Sequence, residues 1–193
     1  MKFTVPLAIA ALALSTLGAS AEDCPVDVTN IGDLSDAEVA TLYDCMKDKM
    51  QAGYSKAGDE TAAEYRNWTI TATQAVVEGN HSGRALLTFA NDIAAPQYTA
   101  FAEEGFVMPV GSVLAKESLS VHPKNKVGRV GPLFLMTKLE AGGAPETGDW
   151  LYGGIQANGK PMKFKQSFCH ECHEIWSEQD YLAYPVEEFR VTQ

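Results

Sequence analysis

Residues 169 to 173 read Cys-His-Glu-Cys-His, and this pentapeptide constrains the chain more than any other feature. Two cysteines three positions apart followed at once by histidine form the attachment sequence of c-type haem. The thiols add to the two vinyl groups, and the next histidine is placed beneath the iron. The spacing assigns Cys169, Cys172 and His173 to one covalent haem c, with His173 as the iron ligand. Three other uses of the cysteines compete. A thioredoxin-like redox pair wants a preceding strand in a βαβ setting, which this region lacks. A zinc site needs a second ligand pair, and outside the motif only His81 and His122 remain. A disulfide across this spacing would be unusually tight. His170, held between the cysteines, cannot easily reach the far face of the iron and reads as a solvent-facing residue.

Haem attachment of this kind belongs to an exported protein, and the start of the chain agrees. Met1 to Ala21 runs as one lysine, an apolar stretch from Val5 to Leu17 and a small-residue end, Ala19-Ser20-Ala21. This is the pattern of a cleavable export signal, too short and too sparsely flanked for a membrane anchor. The expected location is the periplasm. Loss of residues 1–21 removes Lys2 and no acid, so the formal net charge moves from -10 to -11. Such an acidic chain argues against nucleic acid and against insertion in, or binding to, an anionic membrane. It suits a basic electron-transfer partner.

The other two cysteines, Cys24 and Cys45, also meet an oxidising compartment and read as a structural disulfide, with two buried free thiols as the alternative. Closing a loop of that length contributes on the order of 3 kcal/mol. Cys45 lies in a stretch from Ser35 to Tyr54 in which Val39, Leu42, Cys45, Met46 and Met50 recur at helical spacing. Ser35 followed by Glu38 is a capping-box signal, and Gly53 and Gly58 mark the end.

Beyond that helix the pattern turns to strands. Trp68 to Val77 alternates and is β-branched, Arg84 to Phe89 follows the turn Gly79-Asn80, and Ser112 to Val121 alternates cleanly. Leu133 to Leu139 and Asp149 to Ala157 complete the set, with Asn158-Gly159 as a hairpin signal. Asp92 to Glu104 reads as a surface helix closed by Gly105. Short connections without crossover helices predict an antiparallel sheet, hence an α+β domain with flanking helices and the haem near the C-terminus. The expected organisation is a signal peptide over residues 1–21, a helical extension over 22–64 and a haem domain over 65–193.

The second axial position is informative by what is missing downstream. Electron-carrier cytochromes commonly add a methionine after the motif, yet Met162, the last methionine here, precedes it. Met108, Met136 and Met162 could serve only from upstream, and methionine in a strand or its flank is more often core. A five-coordinate iron with an open distal pocket follows as the expectation. Phe89, Phe134, Trp150 and Phe164 are candidates to wall that pocket, or ordinary core.

Several segments, taken in order, resemble the cytochrome P-460 family and its relatives, the β-sheet cytochromes c-prime. They are Tyr65-Arg66-Asn67-Trp68, Gly111 to Glu117, the Leu139-Glu140-Ala141 end of a strand, Gly148-Asp149-Trp150, the haem motif, and Tyr184-Pro185-Val186 near Arg190. The resemblance implies a homodimer with five-coordinate haem and a distal pocket for hydroxylamine or nitric oxide, passing electrons to an acceptor cytochrome. A lysine cross-linked to the haem edge in hydroxylamine-oxidising members matches Lys116, and an acid thought to relay protons matches Glu140. The family's distal arginine has no clean counterpart. The strand Arg84 to Phe89 sets Leu86 near that place, with Arg84 two residues away on the same face. The helical leader with its cysteine pair also departs from the best-known members. Hydroxylamine oxidation is one implied function; nitric-oxide binding without turnover, or plain electron transfer, is the alternative. By residue pattern alone Lys116 would be a lysine on a solvated face among serines, and Glu140 a strand-end surface charge.

Overall fold

The computed structural model describes residues 24–192, so the export segment expected over residues 1–21 lies outside the described residues. Its frame is an antiparallel sheet in the order β1-β3-β4-β6-β7, with β2 also pairing to β3 and β5 to β4. The fold is α+β.

The leader is one long helix, α1 (Asp36–Tyr54), opened by the capping box between Ser35 and Glu38. It buries Val39, Leu42, Met46, Met50 and Tyr54, one stripe at the 3.6-residue period, against one face of the sheet. The Cys24–Cys45 disulfide pins the preceding segment to it. The approach to the sheet is close. A Cβ on Gly128 would lie 2.7 Å from Met46 Sδ and 2.9 Å from Leu42 Cδ1, so any side chain there would displace this stripe of α1.

After a short helix, α2 (Glu60–Glu64), the chain enters the sheet. The run Trp68 to Val77 is two strands rather than one, β1 (Thr69–Ile70) and β2 (Val76–Glu78). Both pair with β3 (Arg84–Ala90), so the intervening residues step from one end of β3 to the other. Between β2 and β3 a single turn, α3 (Asn80–Gly83), carries His81 and Ser82 in left-handed backbone, φ 55° and 64°. The helix expected over Asp92 to Glu104 shrinks to α4 (Ala95–Tyr98). Pro96 suits only its first turn, and Phe101 at φ 50° ends any continuation.

The central strand is β4 (Val113–His122), followed by β5 (Val127–Val130), which the sequence pattern missed, then β6 (Leu133–Lys138) and β7 (Trp150–Ile155). Asn158-Gly159 forms the expected turn, and among the described residues a single bridge, Ile155 to Pro161, follows it. The motif then lies at the end of α5 (Gln166–His173), whose chain continues as a 3-10 turn to Gln179.

Alternation splits the hydrophobic core in two. Leu87, Phe89, Ala115, Leu119 and Leu133 face α1, whereas Ala90, Leu114, Met136, Trp150 and Tyr152 face the other way. The second face is the one toward α5.

Candidate haem-binding site

Between that second face and α5 lies a cavity of about 490 Å³, within the usual range of roughly 300–1,000 Å³ for ligand pockets. Cys169, Cys172 and His173 line it from α5, and Leu114, Lys116, Phe134 and Met136 from the sheet. Strand register explains the sheet wall. Thr88, Lys116 and Phe134 are cross-strand neighbours on β3, β4 and β6, and directly paired residues share a face.

His173 is 8% exposed, and its Nδ1 lies 2.8 Å from the Tyr181 carbonyl oxygen. An Nδ1–H donating to that carbonyl leaves Nε2 unprotonated, the form a metal ligand requires. Burial first, then the positive charge of Lys116, holds the imidazole pKa down at about 4. The carbonyl is itself held in place. Asp180 and Tyr181 both have left-handed backbone, a conformation costing of order 1–3 kcal/mol per residue unless its surroundings enforce it. Here Lys138 Nζ pairs with Asp180 Oδ1 at 2.7 Å, the Met108 N–H donates to Oδ2 at 2.8 Å, and Trp150 Nε1 donates to the Asp180 carbonyl at 2.8 Å. The buried Lys138 is thus a bracket for the carbonyl that holds His173.

The donor set fits a covalent haem: one thiol a helical turn before a neutral imidazole and a second immediately before it, all lining one largely apolar cavity. His170 is half-buried in α5 rather than solvent-facing, with Nδ1 3.5 Å from the Tyr152 hydroxyl.

Lys116 opens into the same cavity. Desolvation lowers the pKa of its amine, partly offset by the negative charge of Glu78. Arg84 also lines the cavity, where burial lowers its pKa and adds a second cation. Glu140 does not join them. It is exposed on the bend after β6, and the carboxylate whose charge reaches Lys116 is Glu78 instead. The reason is register: Glu78 pairs with Arg84, on the face that carries Thr88 and Lys116, while Glu140 falls two residues past the end of its strand. Of the four aromatic candidates, Phe134 lines the cavity. Phe89 packs on the opposite face against Tyr65, and Trp150 and Phe164 belong to the adjoining core. Met136 and Met162 reach the cavity, whereas Met108 is buried outside it.

His81, weighed from the sequence only against a zinc site, belongs to this cavity. It lines the cavity across from His173, with its ring 4.4 Å from that of Phe134. Burial, then Lys116 and His173, push its pKa to about 3.

Comparison with known families decides the class. The family model described as cytochrome P460 matches residues 62–183. The chain belongs to the cytochrome P460 family. As a member it is a haem protein, and the matched span runs from α2 through the attachment motif to the turn that supplies the Tyr181 carbonyl. The whole of α1 lies before it. No curated protein matches the chain.

Proposed function

We propose that this cytochrome P460 protein works in the periplasm as a c-type cytochrome that oxidises hydroxylamine, its single haem bonded to Cys169 and Cys172 and ligated by His173. Lys116 carries the reading: its amine opens into the cavity that the attachment motif lines from the other side. When bound, the haem supplies a redox-active iron and an electron path to an acceptor cytochrome. The remaining work falls to the side chains. A desolvated amine is more often unprotonated and so more nucleophilic toward the haem edge. Forming that nitrogen–carbon bond releases two protons and two electrons, which an oxidant of the peroxide class would have to accept during maturation. Arg84 offers a fork of N–H donors to the oxygen of a bound nitrogen compound. Glu78, whose charge acts on Lys116, is the carboxylate suited to take protons from the substrate. A homodimer and a basic acceptor cytochrome, matched to the chain's net charge of -10, complete the proposal.

Protein matured with a c-type assembly system should keep its haem stain through denaturing electrophoresis and lose it in Cys169→Ala/Cys172→Ala. A colourless wild type would overturn the haem assignment. Wild type should absorb far to the red of an ordinary ferrous c-type haem, and Lys116→Ala should restore the ordinary spectrum and abolish hydroxylamine-dependent reduction of an acceptor. The apolar wall of Leu114, Phe134 and Met136 favours a second reading, capture of uncharged nitric oxide. An ordinary wild-type spectrum without turnover would put that reading first.

A further inference from the structure

The rings of His81 and His173 have centroids 6.4 Å apart at an interplanar angle of 53°, and both line the cavity. Two imidazoles sharing one metal need two metal–nitrogen bonds of about 2 Å and two half-rings of roughly 1 Å, a span near 6 Å. A distal histidine that only hydrogen-bonds an iron-bound ligand would have to stand further off, by the length of that ligand and one hydrogen bond of about 3 Å. The 6.4 Å between the two ring centroids matches the span of a shared metal. The Nδ1 of His81 is buried without a hydrogen-bond partner, so Nε2 is the nitrogen available to the cavity. Among the described residues no hydrogen bond holds the half-buried His81 ring, which sits on left-handed backbone, meets Phe134 edge-on and shares the cavity with His173.

Resting on the haem reading above, we propose that His81 is the sixth ligand of the iron in the resting protein, opposite His173, and that small ligands enter by displacing it. The two histidines differ in support. His173 has the Tyr181 carbonyl behind its ring, whereas His81 has no partner at Nδ1. Loss of such an outer partner typically weakens a metal ligand by about 10- to 100-fold. His81 also sits beside Ser82 on a turn where two consecutive residues hold left-handed backbone. Release would relax that turn while the proximal bond stays in place. The distal site is closed at rest and opens on demand.

Ferric haem-loaded wild type should be six-coordinate and low-spin, and pulsed paramagnetic resonance on protein carrying ¹⁵N-histidine should count two coordinated imidazoles. His81→Ala should turn the haem high-spin, free imidazole should restore the low-spin signal, and ferrous carbon monoxide association should accelerate at least about tenfold. A high-spin wild type, or one coordinated imidazole, overturns the proposal and leaves the haem assignment standing. So does a low-spin signal that survives His81→Ala or disappears in Met136→Leu or Met162→Leu. The labelled wild type answers even if the alanine variant fails to fold. A chain without covalent haem overturns both readings together.

Discussion

Lys116 and Glu117 are consecutive residues of β4 that point to opposite faces of one sheet, and their surroundings differ completely. Glu117 is fully buried, and every need of its carboxylate is met within the chain. It accepts from the Tyr43 hydroxyl at 2.6 Å, from the Tyr65 hydroxyl, and from Arg66 Nε at 2.7 Å. Arg66 in turn donates to the Lys47 carbonyl of α1 at 2.8 Å. On the other face the Lys116 amine has no ion pair or hydrogen bond among the described residues, and only the charge of Glu78 offsets its desolvation. A buried charge without partners is costly, so a chain keeps one where a further component uses it. One face is closed by the protein's own leader helix. The opposite face is left for a cofactor.

That contrast can be broken most severely at Glu117. Glu117→Ala leaves the half-buried Arg66 and the Tyr43 and Tyr65 hydroxyls without their carboxylate and should cost up to about 3–5 kcal/mol, the usual penalty for removing one partner of a buried pair. Denaturant unfolding measures it, and the spectrum of whatever folds should be unchanged. A loss below about 1 kcal/mol would mean that the leader is not locked through this cluster. The double change Cys24→Ser/Cys45→Ser should cost somewhat less, about 3 kcal/mol for a loop of this length, again without a spectral change.

Lys116→Met should behave in the opposite sense. Because the folded-state pKa of Lys116 is lowered, the unfolded chain binds more protons between that value and the ordinary 10.5. Stability of the haem-free protein should therefore rise with pH across that window. Lys116→Met should flatten the rise and leave the protein no less stable near neutrality, as thermal melts from pH 7 to 10.5 would reveal. An unchanged pH slope would show that Lys116 is hydrated. The smallest effect belongs to Glu140→Gln, an exposed change expected within about half a kcal/mol and without influence on turnover. Glu78→Gln should slow hydroxylamine oxidation about a hundredfold or more if it moves protons. Slow turnover in Glu140→Gln and normal turnover in Glu78→Gln would reverse the two assignments.

The sequence by itself determined what depends on neighbours along the chain. The motif at 169–173 holds its own spacing, Ser35 and Glu38 cap α1 within one turn, and alternation through β4 sets Lys116 and Glu117 on opposite faces. The disulfide partner of Cys45 was legible because only one other cysteine lay outside the motif. Tertiary structure decided everything that depends on register and on turns between distant segments. Whether an acid near a strand end faces the cavity turns on a residue or two, which is why Glu140 points to solvent and Glu78 sits beside the site. Where β1 gives way to β2 depends on both strands finding β3, which no local period records. His81 reaches His173 only because a left-handed turn, two strand pairings and the Asp180 bracket place residues 92 positions apart on the two sides of one cavity. Local sequence carries the chemistry of each group, and the packing of remote segments chooses which groups meet.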